Sequence, residues 1–299
     1  MLTARARSSR KAIVLDRVGA SAPDLVRFRC NICDAENCLP RERLTREAAS
    51  CDGCASTVRM RSVIRCLSLM LFGRSLRLSE MPINWRIHGL GLSDWATYAD
   101  RLARRFSYRN TFFDAEPQLD ITDPPPELFN TLDFLIASDV FEHVAPPVDA
   151  AFAGAFRLLK PGGKLIFSVP YTIDATTIEH FPTLAEFEIL RFGEEHYLLN
   201  RRRDSSYELF DKLVFHGGPG QTLEMRIFCE ADVVAHLQQT GFGQVVIHRE
   251  DDPAVGVVHA QGWSLPMTAV RPIARSVLSR WAIAWRETLA GWAAQATRR

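Results

Sequence analysis

Apolar and polar residues follow two different patterns along this 299-residue chain. Apolar side chains recur at helical spacing over residues 58–72, and Gly73 follows them as a stop signal. From Trp85 onward, short apolar runs that suit buried strands alternate with stretches of helical spacing. Strands and helices that alternate at this length indicate a parallel sheet with helices on both faces.

This alternating part predicts an α/β fold with a doubly wound, mostly parallel sheet. The predicted strands are 87–92, 111–113, 118–121, 132–137, 164–169, 222–228 and 244–248. Helices are expected after Ser93 and after Pro147, because both residues suit the start of a helix. A further helix over 233–237 is expected to end at Gly241.

Composition is that of a globular protein, with 47% hydrophobic and 24% charged residues and a net charge of +1. This balance argues against a nucleic-acid binder that works by bulk electrostatics. No run approaches the ~18 consecutive apolar residues of a membrane span. Residues 1–11 are rich in Arg and Ser with no apolar segment behind them, so we expect no secretory signal.

Four cysteines stand in two pairs: Cys30 with Cys33, and Cys51 with Cys54. The spacing, C-x2-C, then seventeen residues, then C-x2-C, is typical of a zinc ribbon with a closed structural Zn²⁺. Two disulfides are the alternative, but the odd total of 7 Cys and the missing signal segment favour the metal. Thiolates kept for a metal imply a reducing compartment, so the predicted location is cytoplasmic.

The patterns together divide the chain into five parts. These are a lead-in (1–25), a zinc-ribbon-like cysteine module (26–57), a helical connector (58–84), an α/β domain (85–270) and a basic C-terminal helix (271–299). We expect the module and the α/β domain to have separate cores. The last segment carries Trp281, Trp285 and Trp292 at helical spacing, which suits a peripheral membrane contact or, preferably, docking on the domain or a second subunit.

Two segments of the α/β domain match a known pattern. DVFEHV (139–144) follows a buried strand, and LLKPGGKL (158–165) leads from a helix into the next strand. On these segments the chain resembles the class I S-adenosylmethionine-dependent methyltransferases, in particular the type 11 branch, over about residues 85–271. The resemblance implies a seven-stranded, Rossmann-like methyltransferase sheet, with S-adenosylmethionine as cofactor. Some methyltransferases of this fold also carry an N-terminal zinc module.

The resemblance also implies which residues bind the cofactor at the carboxyl ends of the strands. Two glycines of the family's first motif are kept, whereas Ile87 replaces its upstream acid and Ser93 its third glycine. The expected cofactor-binding residues are Gly89, Gly91, Asp114, Asp120, Ile121, Ser138, Asp139 and His143. Asp114 is preferred to Glu116 as the residue that binds the ribose hydroxyls. Asp120 is expected to bind the adenine amine, with Ile121 packing against the adenine ring.

Each of these residues also has a structural interpretation. Asp114 suits a solvated loop, and the segment of Asp120 and Asp123 suits a turn cap. His143 can be satisfied by Glu142 or by a backbone group instead of facing the cofactor.

The acceptor pocket is expected from residues beyond the fifth strand: Tyr171, His180 and His216. His180 and His216 are the candidate general bases, because His titrates near neutral pH. Each can instead be an ordinary packing residue. The insert 213–220 is expected to add to this pocket.

Three functions remain open, and the favoured one is methyl transfer to a small molecule or a saccharide. An RNA methyltransferase that uses the module as a grip is less favoured, because the module has few basic residues: Arg41, Arg43 and Arg46. A non-catalytic binding or scaffold protein is the third, and the altered glycine motif is its main support.

Overall fold

The structure is a computed structural model, and it describes residues 24–216 and 222–273. Its strands are, in chain order, β1 (Leu25–Arg29), β2 (Glu36–Pro40), β3 (Asn84–Leu92), β4 (Phe106–Thr111), β5 (Leu132–Ser138), β6 (Leu159–Ser168), β7 (Tyr171–Thr172), β8 (Ile178–Glu179), β9 (Glu186–Phe192), β10 (Glu195–Arg201), β11 (Tyr207–Phe210), β12 (Phe215–His216), β13 (Thr222–Leu223), β14 (Arg226–Cys229), β15 (Gly243–Ile247) and β16 (Met267–Val270). Its helices are α1 (Val58–Phe72), α2 (Ala96–Ala103), α3 (Asp149–Leu158) and α4 (Glu230–Thr240).

Parts of three predictions fall on residues that the structure does not describe. These are the lead-in up to residue 23, residues 217–220 of the predicted loop 213–220, and the basic C-terminal helix from 274 onward. Within 24–216 and 222–273, no helix combines the length and the apolar character needed to cross a membrane.

The central sheet has six strands in the order β15-β16-β6-β5-β3-β4. Strands β4, β3, β5 and β6 run parallel, and β16 is antiparallel to both of its neighbours. The predicted α/β class and the mostly parallel, doubly wound sheet are confirmed, with six strands rather than seven among the described residues.

Two predicted strands lie outside the central sheet, and a third, 111–113, shares only Thr111 with β4. Segment 118–121 makes only a bridge from Gln118 to Phe112, because an Asx turn takes the place of ladder pairing, with Asp120 accepting from the Thr122 N–H at 2.8 Å. Segment 222–228 forms β13 and β14, which pair with short strands elsewhere. Strand β16, which the sequence analysis does not predict, completes the sheet.

The two faces of the sheet are buried by different layers. Successive residues of a strand point to opposite faces, so Leu135 packs with α3 and α4, whereas Phe134 and Ile136 pack on the other side. That second cluster also contains Phe28 and Leu44 of the cysteine module. The expectation of separate cores is therefore wrong, because the module packs on the sheet itself.

Helix α1 connects the module to the sheet and has the predicted bounds. Thr57 caps its first turn by accepting the Met60 N–H at 3.3 Å, and Gly73 ends it in the left-handed conformation at φ 69°. One side of this helix packs in the cluster that the module and the sheet share. A change in the module is therefore transmitted directly to α1.

Strands β7 to β14 form an insert between β6 and α4. It contains a three-stranded antiparallel sheet, β11-β10-β9, that the sequence analysis does not predict. Its small core consists of Phe181, Leu184, Leu198, Leu223 and Met225. Ala145 packs against this core, so the insert adjoins the carboxyl end of β5.

Candidate functional site

The four paired cysteines meet in the module. The sulfurs of Cys30 and Cys54 are 3.8 Å apart, those of Cys33 and Cys51 are 3.5 Å apart, and all four lie within 4.8 Å of one another. Four thiolates about one Zn²⁺ at 2.3 Å would be separated by about 3.8 Å. The sulfurs therefore fit one tetrahedral ion, and their separations are far too long for disulfides.

Polar groups point at two of these sulfurs. The Ile32 N–H lies 3.4 Å from Cys30 Sγ, and the Ser56 hydroxyl lies 3.5 Å from the same atom. The Asn37 amide lies 3.7 Å from Cys51 Sγ. Such donors around sulfur stabilise thiolates and hold ligands in place, as outer groups do in metal sites generally.

A fully buried arginine, Arg61, lies beside the four cysteines. Its guanidinium makes five hydrogen bonds of 2.7–3.0 Å, to the Gly256 carbonyl, to the Ser56 carbonyl and hydroxyl, and to the Ser50 hydroxyl. It also stacks over Phe28 at 4.8 Å. Among the described residues no carboxylate pairs with it. Four thiolates around Zn²⁺ carry a net charge of −2, which balances such a buried cation.

The glycine turn covers the end of β3, which contains Gly89 and Gly91, and Ser93 just beyond it keeps a conformation that glycine adopts readily. Ser93, at the third glycine position of the family pattern, has φ +54°. A Cβ at Gly91 would lie 2.0 Å from Tyr108 Oη, and one at Gly89 would lie 2.0 Å from the Phe134 ring. Both glycines are therefore required by packing within the protein itself.

A buried carboxylate, Asp94, packs against Gly91 of this turn. It accepts hydrogen bonds from the hydroxyls of Tyr98 at 2.7 Å and Tyr108 at 2.5 Å. Burial raises the pKa of Asp94 to about 7, although the two hydroxyls act in the opposite direction. The sequence analysis treats Asp94 only as a helix-start residue and misses this role.

The expected ribose and adenine residues lie beyond β4. Asp114 is exposed in the loop after that strand. Asp120 caps the turn with Thr122 through Oδ1, which both the backbone N–H and the hydroxyl of Thr122 donate to. Ile121 is buried in the main core. Of these three side chains, Asp114 is the most accessible to a ligand.

The carboxyl end of β5 is bound by the cysteine module and α1. Both terminal nitrogens of Arg46 donate to Asp139, at 2.8 and 2.6 Å, and Arg59 Nε lies 3.0 Å from the same carboxylate. Arg59 also donates to Ser138 Oγ at 2.9 Å. Burial alone would raise the pKa of Asp139, but the charges of the two arginines outweigh it and lower that pKa. The sequence analysis names Arg46 only as a basic residue of the module, and it misses Arg59.

Five residues at the same end form what we call the histidine cluster: Glu142, His143, His180, His216 and Glu224. His180 and His216 both bind Glu224 through Nε2, at 2.9 and 3.0 Å. The rings of His143 and His216 meet edge to face at 4.8 Å. The structure therefore brings together the two histidines expected in the acceptor pocket, and it adds His143.

Tyr171, the third residue expected in that pocket, lies in the main core. Its side chain is 2% exposed, and its backbone is fixed by Ser264. Burial raises its pKa well above the ordinary value, and its charged neighbours are Glu230 and Arg249. The structure does not place Tyr171 with the histidine cluster.

Comparison with known families gives one match. Residues 72–165 match a family profile described as a methyltransferase domain. The matched segment runs from the end of α1 into β6 and includes the glycine turn and the DVFEHV segment. The methyltransferase resemblance stated from the sequence is thereby confirmed over these residues, and its assignment to the type 11 branch stays a prediction. Among curated proteins no match was found.

Several solved structures are similar to this chain at low identity. One is the 1,6-didemethyltoxoflavin-N1-methyltransferase of Burkholderia thailandensis with bound 1,6-didemethyltoxoflavin and S-adenosylhomocysteine, at 15% identity, 71% coverage of this chain, 79% of that chain and a TM-score of 0.39. Another is the sugar N-methyltransferase KedS8 of Streptoalloteichus sp., which is 14% identical. The similarity covers 70% of this chain and 85% of that chain, with a TM-score of 0.39. A third is the amino pentose methyltransferase CalS10 of Micromonospora echinaspora, which is 13% identical. The similarity covers 71% of this chain and 90% of that chain, with a TM-score of 0.38.

Proposed function

We propose that this chain is an S-adenosylmethionine-dependent methyltransferase whose cysteine module holds one structural Zn²⁺. The observation that carries the proposal is the methyltransferase-domain match over residues 72–165. The left-handed backbone at Ser93 supports it, because the turn keeps its shape although the third glycine of the family pattern is absent.

The cofactor would lie at the carboxyl ends of β3, β4 and β5. When bound, it supplies an electrophilic methyl group on a sulfonium. Asp114 is exposed in its loop and can accept hydrogen bonds from the ribose hydroxyls. Thr122 donates to Asp120 Oδ1, so Oδ2 of Asp120 is left to accept a hydrogen bond from the adenine amine. Ser138, Asp139 and His143 lie beside this region at the end of β5.

The zinc would fix the shape of the module rather than take part in the reaction, because four cysteines leave no open coordination position. The sulfur spacing and the balancing charge of Arg61 both support the metal. The segment between the two cysteine pairs carries Arg46, which binds Asp139 at the end of β5. The ion therefore also helps to hold the module against the strand ends.

A small molecule or a saccharide fits the acceptor side better than RNA does. Arg41 pairs with Asp24 and Asp251, and Arg46 pairs with Asp139, so two of the three arginines considered for an RNA grip are neutralised. A general base is available at the histidine cluster. His180 is held by Glu224 through Nε2, which leaves Nδ1 to accept a proton from an acceptor hydroxyl.

Calorimetry with S-adenosylhomocysteine on the full chain tests the cofactor assignment. We expect wild-type binding and a roughly 10- to 100-fold weaker affinity for Asp114→Ala, because a charged hydrogen bond to the ribose is lost. Asp123→Ala, which removes a neighbouring exposed carboxylate, should bind like the wild type. Wild-type protein that does not bind at millimolar ligand would favour the scaffold function instead.

A further inference from the structure

Three residues of the histidine cluster bring metal-ligating atoms together outside the cysteine module. One carboxylate oxygen of Glu142 and one ring nitrogen each of His143 and His216 lie within 4.8 Å of one another. Glu142 and His143 belong to the short turn after β5, and His216 ends β12 in the insert. The group is therefore assembled from segments more than 70 residues apart in the sequence.

Each histidine is held through one nitrogen and leaves the other free. His143 Nδ1 bonds to the Leu223 carbonyl at 2.9 Å, so its Nε2 faces Glu142 at 3.7 Å. His216 Nε2 lies 3.0 Å from Glu224 Oε2, so Nδ1 is the ring nitrogen that remains to bind a metal ion. Histidines that bind metals are usually oriented in this way, with the other ring N–H given to a carbonyl or a carboxylate.

Glu142 supplies an independent observation. Its side chain is 0% exposed, and neither carboxylate oxygen has a hydrogen-bond partner among the described residues. A buried carboxyl normally has partners, because leaving one without them costs several kcal/mol of desolvation. The 3.7 Å separation from His143 is too long for a hydrogen bond but suits two ligands that share a cation.

We propose that Glu142, His143 and His216 bind one divalent transition-metal ion, with Zn²⁺ as the natural probe. Two imidazoles and one carboxylate are a donor set of open metal sites, which keep coordination positions for an oxygen ligand. The ligand class is therefore a small molecule with a hydroxyl or carbonyl oxygen, and the metal would fix that oxygen beside the strand ends. Glu224 would be a positioning residue, because it orients His216.

Metal stoichiometry of the full chain tests this proposal without any reference to methyl transfer. Chelator-treated protein is titrated with Zn²⁺, and bound metal is measured by mass spectrometry after dialysis. We expect two ions per chain for the wild type and one for the double variant His143→Ala/His216→Ala. His236→Ala, which removes a histidine on α4 that pairs with Asp149, should still bind two.

Two further variants protect the test against misfolding. Glu142→Gln keeps the buried volume, and Glu224→Gln removes the carboxylate that both His180 and His216 bind. Each variant should weaken binding of the second ion by about 10- to 100-fold. Co²⁺ distinguishes the sites, since thiolate charge-transfer absorption reports the cysteine module alone. That absorption should stay unchanged in all four variants. One ion in the wild type, or two in the double variant, would overturn the proposal.

Failure of this proposal and failure of the proposed function are distinguishable. Cofactor affinity is read by calorimetry with S-adenosylhomocysteine, whereas the second metal is read by stoichiometry with Zn²⁺ alone. A wild type that binds the cofactor but only one ion loses the second metal site and keeps the methyltransferase assignment.

Discussion

The cysteine module and the strand ends bury ionisable groups in opposite ways. Beside the module's cysteines, Arg61 of α1 is fully buried and makes five hydrogen bonds. At the strand ends, Glu142 is just as buried and has no hydrogen-bond partner for its carboxylate among the described residues. Asp94 accepts hydrogen bonds from two tyrosine hydroxyls but forms no salt bridge within that part of the chain. The first arrangement satisfies every donor, whereas the second compensates Asp139 with two arginines but leaves Glu142 and Asp94 poorly compensated.

This difference separates a structural site from a candidate binding site. A fully satisfied polar network stabilises one conformation, and a closed site of four thiolates has the same effect. Burial raises the pKa values of Glu142 and Asp94, and carboxyls with shifted pKa values are concentrated at functional sites. Substitutions that change one region at a time show whether its buried charges serve the fold or a ligand.

Cys30→Ser should have the largest effect. A structural Zn²⁺ contributes on the order of 10 kcal/mol to the folding of its module. Because the module shares a core cluster with α1 and the sheet, we expect the urea midpoint of the whole chain to fall, not only that of the module. The Co²⁺–thiolate absorption should be lost at the same time.

Cys38→Ser is the matched control for this change. Cys38 is an exposed thiol on β2 and lies outside the four-sulfur group. Its replacement should leave both the absorption and the urea midpoint unchanged. A Cys30→Ser protein with wild-type stability would show that the module needs no metal.

Arg61→Met should have the next largest effect. The change removes the cation that balances the thiolates and leaves the Gly256 and Ser56 carbonyls without these donors. Breaking such a buried charge arrangement costs roughly 3–5 kcal/mol. Urea unfolding measures this loss, and Zn²⁺ affinity should fall with it.

The exposed Arg43 provides the comparison for Arg61. Arg43→Met removes the same charge from the module surface and should change stability by no more than about 0.5 kcal/mol. Equal effects of the two substitutions would show that the buried charge of Arg61 is not needed by the module.

Local patterns predict the parts of the fold whose determinants lie close together in the sequence. Helix α1 has the predicted bounds because its apolar period, its Thr57 cap and its terminal Gly73 are contiguous. The paired cysteines are recognisable for the same reason. Strands β9 to β11 are not predicted, because β9 and β11 have no fully buried residue, β10 has only two, and none has a continuous apolar run.

The site is less predictable because it is assembled over long sequence distances. Arg46 and Asp139 are 93 residues apart, and no local spacing links them. His143 and His216 are each visible in the sequence, but their contact depends on how the insert folds back on β5. Glu142 looks like an ordinary acid in a turn, and only its burial distinguishes it.

Asp94→Asn should have the smallest effect, and the effect should depend on pH. Burial raises the pKa of Asp94 to about 7 in the folded chain from an ordinary value of 3.8, so its contribution to stability is fully present below pH 3.8 and is lost as pH rises towards 7. Relative to the wild type, the variant should therefore gain about 2 kcal/mol between pH 5 and pH 8. Urea unfolding at both pH values measures this gain, with Asp100→Asn on the exposed side of α2 as the control. A variant whose stability relative to the wild type is the same at both pH values would show that Asp94 is compensated as well as Arg61 is, and the contrast between the two regions would then rest on Glu142 alone.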